Sequence, residues 1–333
     1  MKKICKLLAA ATACFALFCS CNDEWEGEQY EKYVSFVKCG VDNAKVYFKY
    51  DALGGEKQYR IPVMVSGSST NNRDVNVVIA LDADTLDAYN YSRFQNRTDL
   101  YYQLLPEDKY NFPKMSGVIP KGADVGYVDV NFQFQGLDLK HEYILPLQIT
   151  EASDLAPNPR KYYKKTLMNV VLYNDYSGTY NIAGDLFVLN SGGNKDGEAI
   201  MVETRNSWVV DEETIFFYAG NTEETANIDI REQYRIYVRF DPETETSGKV
   251  TMWSENPAIN FEYDQQTCIY VIQESMDELL PYLKWRYITM VLDYKYDDLT
   301  IPSHEVRHNF QGAMTLERKL NILMPEEDQD IFD

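Results

Sequence analysis

From Tyr33 onward, apolar and polar residues alternate in short runs. Tyr59, Ile61, Val63 and Val65 are interleaved with Arg60, Pro62, Met64 and Ser66, and Gly67 ends the run. The pattern recurs at Val75, Val77, Ile79 and Leu81, at Val128, Val130, Phe132 and Phe134, and at Tyr143, Leu145, Leu147 and Ile149. A period of two sends successive side chains to opposite faces of a strand. Short runs of this kind, separated by turn-rich pieces such as Pro120-Lys121-Gly122, predict a sandwich of two sheets. Asp84 to Tyr91 predicts one or two helical turns between strands, with Asp84 as N-cap. Residues 33–173 are read as an immunoglobulin-like β-sandwich.

Asn174-Asp175-Tyr176-Ser177-Gly178 is a cluster of turn residues and the expected domain boundary. Beyond it, strands are predicted over 180–189, 214–218, 234–240, 249–253, 268–273 and 285–296. The clearest helical stretch is Glu274 to Leu280, stopped by Pro281. Strands without crossover helices point to a meander closed into a barrel, or to a second sandwich, over residues 174–324. The class is all-β. Residues 325–333 form an acidic tail.

The first residues change the setting. Lys2 and Lys3 lead an apolar run from Leu7 to Phe18, then Cys19-Ser20-Cys21 and the acidic Asn22-Asp23-Glu24. This reads as a secretory leader over residues 1–20, too short to span a bilayer, with Cys21 as an acylated first residue. Residues 21–32 are then an acidic tether. Net charge is −20, falling to −23 once Lys2, Lys3 and Lys6 leave with the leader. Such a surface excludes phosphate-backbone binding, so no nucleic acid partner is expected. Of six cysteines, only Cys39 and Cys268 remain beyond Cys21, which is no disulfide framework. Both read as buried small apolar residues.

Candidate chemistry is sparse. His304-Glu305-Val306-Arg307-His308 spells H-E-x-x-H, which binds zinc only on a helix, where positions i and i+4 share a face. Here Pro302 precedes it, Gly312 follows, and His304, Val306, His308 and Phe310 alternate as in a strand, so no metal site is expected. With 52 acidic residues, pairs such as Asp293 with Asp297 or Asp298 arise by chance. His141 lies in a strand pattern, and Asp82-Ala83-Asp84 lacks the rest of a calcium loop. No catalytic residue and no cofactor is expected. Aromatics are the better clue, because sugar C–H faces stack on Trp and Tyr. Trp285 and Tyr287 oppose Ile288, Met290 and Leu292, and Trp253 opposes Val250 and Met252. On the strand of Tyr234, Ile236, Val238 and Phe240, the outward positions are Arg235, Tyr237 and Arg239. Two arginines beside a tyrosine suit the carboxylate of an acidic sugar, or else pair with carboxylates on neighbouring strands.

Several runs resemble a known family. They are Tyr59-Arg60-Ile61-Pro62-Val63-Met64-Val65-Ser66-Gly67, Leu81-Asp82-Ala83-Asp84 with Tyr89-Asn90, Leu105-Pro106, and Tyr143-Ile144-Leu145-Pro146-Leu147. In the second half, Tyr173 to Tyr180, Tyr294-Lys295-Tyr296-Asp297-Asp298 and Gly312 to Arg318 complete the likeness. The chain resembles two-domain Bacteroidetes surface lipoproteins of polysaccharide-utilisation loci. The resemblance implies an immunoglobulin-like first domain and a calycin-like β-barrel second domain. It also implies a lipid anchor on the outer face of the outer membrane, because the acidic residues after Cys21 resemble that family's export signal. It supplies no catalytic residue. The expected function is non-catalytic glycan binding or presentation beside an outer-membrane uptake transporter. The alternatives are a structural or adhesive protein docking protein partners, and, further off, a glycoside hydrolase.

Overall fold

The computed structural model describes residues 27–38, 44–51, 54–139, 141–160, 162–301, 304–325 and 329. The expected leader over residues 1–20, Cys21, Cys39 and nearly all of the expected acidic tail lie outside them.

The first eleven strands form one sheet system. They are β1 (Tyr33–Phe36), β2 (Ala44–Lys49), β3 (Lys57–Val65), β4 (Val75–Leu81), β5 (Gln103–Leu104) and β6 (Tyr110–Asn111). Then come β7 (Ser116–Ile119), β8 (Val125–Phe132), β9 (Tyr143–Glu151), β10 (Ala156–Pro157) and β11 (Lys165–Tyr173). The order is β10-β1-β3-β8-β7-β4-β9-β11-β2. β7 and β8 share a single rung, Val118 with Tyr127, where the sheet folds over on itself. The inward members of the alternating runs, among them Ile61, Val63, Val77, Val130 and Leu145, fill the space between the two layers. Burying each such side chain stabilises the fold by about 1.5–3 kcal/mol. This is the expected sandwich.

Helix α1 (Ala83–Phe94) runs longer than predicted, and its N-cap is Asp82 rather than Asp84. Asp82 makes no side-chain bond to the helix backbone. Its Oδ2 instead accepts the Thr85 hydroxyl at 2.6 Å and the Lys165 ammonium at 2.7 Å. Leu86 and Tyr89 turn inward against Tyr102, Ile144 and Leu167.

The second system comprises β12 (Gly178–Leu189), β13 (Lys195–Met201), β14 (Thr204–Val209), β15 (Thr214–Tyr218) and β16 (Arg235–Pro242). It continues with β17 (Ser247–Trp253), β18 (Glu262–Tyr263), β19 (Ile269–Met276), β20 (Leu283–Asp298) and β21 (Val306–Asn321). Helix α2 (Ile228–Gln233) joins β15 to β16. Neighbours run β12-β14-β15-β16-β17-β19-β20, and β21 pairs with both β20 and β12, so eight antiparallel strands close into a barrel. Of the two architectures left open, the barrel is the one formed. Its interior is packed with Tyr180, Phe217, Phe240, Tyr270, Tyr294 and Phe310 among others. Cys268 is buried there, and burial pushes its thiol pKa up to about 11, which keeps it an unreactive apolar filler.

The predicted helix over 274–280 is not formed. Eight consecutive residues of β19 pair with β20 through Met276, and the ladder overrides local propensity. Asp277 then closes a turn, its Oδ1 accepting from the backbone N–H groups of Leu279 and Leu280. H-E-x-x-H also leads into a strand, with β21 starting at Val306. His308 packs inside the barrel, stacked on Tyr296 at 5.3 Å, while His304 stays at the opening. No cluster of three or more metal-binding side chains occurs among the described residues.

Candidate functional site

The outer wall of the barrel carries an aromatic ladder. Register pairs Trp208 with Phe216, Phe216 with Tyr237, and Tyr237 with Trp253. Four rings therefore lie on one rung across β14, β15, β16 and β17, with centroids 5.2, 6.2 and 5.3 Å apart. Strands sit about 4.8 Å apart, so the rung is about 14 Å long. Its middle rings, Phe216 and Tyr237, are buried, while the terminal indoles Trp208 and Trp253 are half-buried. Trp253 lies nearly parallel to Tyr237, with 8° between the planes. Burial raises the pKa of the Tyr237 hydroxyl, so it stays protonated at neutral pH.

Arg235, Tyr237 and Arg239 do project outward as the alternation requires, but the two arginines do not make an open clamp for an acidic sugar. Arg235 is 6% exposed, lies over the Phe216 ring at 4.3 Å and is paired with Glu232 at 3.0 Å. Arg239 is held by Asp241 at 2.8 Å. Neighbouring carboxylates had the shorter reach in so acidic a chain.

Trp285 and Tyr287 are outward on β20, 6.3 Å apart and nearly parallel. The Trp285 indole N–H donates to Asp277 Oδ2 at 3.0 Å, and the Lys319 ammonium lies 5.1 Å from its ring centroid. This pair does not join the ladder. Lys249, Ile269 and Val291 share a rung; Trp253 lies beyond it in one direction along the wall, and Trp285 beyond it in the other. The two aromatic groups occupy opposite ends of the barrel.

At the Trp253 end the barrel opens into a cavity of about 390 Å³, lined by Glu223, Ile230, Tyr234, Asp298, Thr300 and His304 among others. Tyr234 donates its hydroxyl to Asp298 Oδ1 at 3.0 Å and accepts the Leu299 N–H at 2.8 Å, and Thr300 N–H donates to the same carboxylate oxygen at 2.8 Å. Burial works against the Asp298 carboxylate, but Thr300 and Tyr234 outweigh it and hold its pKa below the ordinary value. One wall is the loop after β15. Arg205, 8% exposed, donates to the carbonyls of Gly220 and Thr222 from within the barrel, and Arg231 donates to Glu224 O at 2.6 Å. Arg97 of the first half donates to Thr225 O at 2.9 Å.

Two family models match the chain. One, described as a domain of unknown function (DUF4973), matches residues 25–153, and one described as a C-terminal domain matches residues 164–315. A solved protein of unknown function from Bacteroides ovatus is 33% identical over 90% of this chain and 99% of its own, with a TM-score of 0.75. The chain belongs to this family of two-domain Bacteroides proteins. A second family structure, a multidomain protein including DUF1735 from Bacteroides ovatus, is 33% identical over 90% of this chain and 99% of its own, with a TM-score of 0.74. A third, described as an auxiliary nutrient binding protein from Bacteroides thetaiotaomicron, is 31% identical over 91% and 99%, with a TM-score of 0.72. No protein with a curated description matches. None of these family descriptions names a catalytic activity.

Trp253 and the outward row Arg235, Tyr237 and Arg239 were legible from alternation. Trp208, Phe216 and Tyr218 were not, because Phe216-Phe217-Tyr218 is apolar at every position and hides which members face out. The cavity residues come from two distant stretches, 221–234 and 298–306, and share no local spacing.

Proposed function

We propose that this protein is a non-catalytic surface lipoprotein that binds a glycan laid across the Trp208–Trp253 rung. The observation that carries the reading is the rung itself: two partly exposed indoles at its ends, stacked on the buried Phe216 and Tyr237 rings between them. Stacking platforms of this kind offer large apolar area at little conformational cost. A family member described as nutrient-binding supports the same class of activity. Acylation at Cys21 would tether the body to the outer membrane, facing outward, where captured glycan could pass to an uptake transporter. Each further buried methylene of such an anchor contributes about 0.8 kcal/mol.

Affinity electrophoresis against a panel of polysaccharides tests the site. Trp253→Ala should weaken retention at least fivefold with an unchanged circular dichroism spectrum, and Trp285→Ala should leave it intact. Retention untouched by Trp253→Ala, or a panel that is blank while pull-downs recover a protein partner, would replace this reading with the adhesive one. Fatty-acid labelling lost in Cys21→Ala checks the anchor.

A further inference from the structure

We infer that the cavity at the barrel mouth is a second, separate binding site, which takes the uncharged terminal sugar of a glycan. This rests on the glycan-binding reading above, but the residues differ. Helix α2 and the loop after β15 supply Ile230, Asn221, Thr222, Glu223 and Ala226 to the cavity, and none of the four rung residues lines it.

Three observations point to that ligand class. The first is size: about 390 Å³ lies at the small end of ligand sites, which run from about 300 to 1,000 Å³. It suits one or two sugar rings rather than a chain. The second is chemistry. Ile230 and Ile301 provide apolar wall for ring C–H groups, while Asn221, Glu223, Asp298 and Thr300 provide donors and acceptors for hydroxyls. Asp298 is already oriented by Tyr234 and by the Thr300 backbone, so a ligand hydroxyl meets a fixed acceptor.

The third is charge. Two carboxylates, Glu223 and Asp298, line the cavity, and neither is in an ion pair among the described residues. The whole chain adds a net −20. A uronic acid or a sulfated sugar would be repelled at the entrance, whereas a neutral sugar pays no such penalty.

The wall is also preorganised. Arginines at 205, 231 and 97 hold the carbonyls of Gly220, Thr222, Glu224 and Thr225, fixing the loop from inside the barrel, from α2 and from the first half of the chain. Arg97 is thus a positioning residue, and the first half contributes to the mouth rather than acting only as a spacer.

Saturation-transfer NMR on the full-length mature protein, with mannose, galactose, N-acetylglucosamine and glucuronate as probes, tests the inference. At least one neutral sugar should give a signal, and glucuronate should give none. Ala226→Trp, which fills the cavity from the loop, and Thr300→Val should each cut that signal tenfold or more, and Arg97→Ala should raise the sugar's Kd several-fold at unchanged melting temperature. Trp253→Ala should leave it intact. Silence from every neutral sugar, equal binding of glucuronate, or a signal indifferent to Ala226→Trp overturns the inference. If Trp253→Ala still abolishes polysaccharide retention in that case, the rung reading survives alone. If the mouth binds sugar while retention ignores Trp253, the rung reading fails instead.

Discussion

Arg318 and Ser177 are joined across the junction between the two halves: the Arg318 guanidinium donates to the Ser177 carbonyl at 2.6 Å and to the Asn174 carbonyl at 3.3 Å. Arg318 is only 4% exposed, and its guanidinium lies 5.5 Å from the Tyr173 ring centroid. The turn Asn174-Asp175-Tyr176-Ser177-Gly178 is thereby tied to the last strand of the barrel. Arg318→Met keeps the bulk but strands two buried carbonyls. It should cost about 3 kcal/mol, the scale of a lost charged hydrogen bond with an unsatisfied partner, read as a lower urea midpoint.

Gly184 and Gly312 face each other where β12 and β21 close the barrel. A Cβ built on either would run into the other's Cα, and one on Gly312 would sit 2.7 Å from the Ala183 carbonyl. Both neighbours are backbone and cannot swing aside. Gly312→Ala should destabilise the protein by about 3 kcal/mol, at the upper end of ordinary overpacking, with a fall in thermal midpoint as the readout.

The Tyr296 hydroxyl is buried with no hydrogen-bond partner among the described residues, pressed against Gly220. An unsatisfied buried hydroxyl is a cost, not a gain. Tyr296→Phe should leave stability unchanged or raise it by about 1 kcal/mol, and a lower urea midpoint would contradict this. Gly220→Ala, with φ at +56° and Tyr296 in the way, should do the opposite.

Burial depresses the pKa of His308 below 6.5, even though Asp298 and Asp297 favour its charged form. The unfolded chain therefore binds a proton that the folded one resists. The stability this contributes is complete above pH 6.5 and is lost as pH falls through the lower folded value. His308→Gln should flatten the stability profile just below pH 6.5. Asp82 and Asp175 have pKa values lowered from 3.8; burial opposes both shifts, but Lys165 with Thr85, and Lys49 with Arg286, prevail. Their loss should fall below about pH 4, clear of the histidine window.

Much of the architecture was legible. Alternation at Tyr59 to Val65 marks a strand because one face must be buried, whereas Tyr143 to Leu147 is buried on both faces, with Ile144 packed against helix α1. β13 and β14 were missed: Lys195-Asp196-Gly197-Glu198 is polar throughout, and Thr204 to Val209 buries Arg205 and Ser207, polar residues that mimic an exposed face. Residues 274–280 look helical in isolation, yet 274–276 pair with β20 and Asp277 turns the rest. The rung was half legible, since alternation reveals which way Trp253 points but not which ring stands beside it. That depends on register across four strands, which is set by the closure of the whole barrel.

The aromatic filling of the barrel, Tyr180, Phe217, Phe240, Tyr270, Tyr294 and Phe310 among others, makes it a dead end below the mouth. A solute that enters at the mouth has no route through and leaves by the door it used. For a sugar held there as inferred above, release would be by dissociation into water, so residence time at the mouth, rather than transit through the molecule, would set the pace of any delivery.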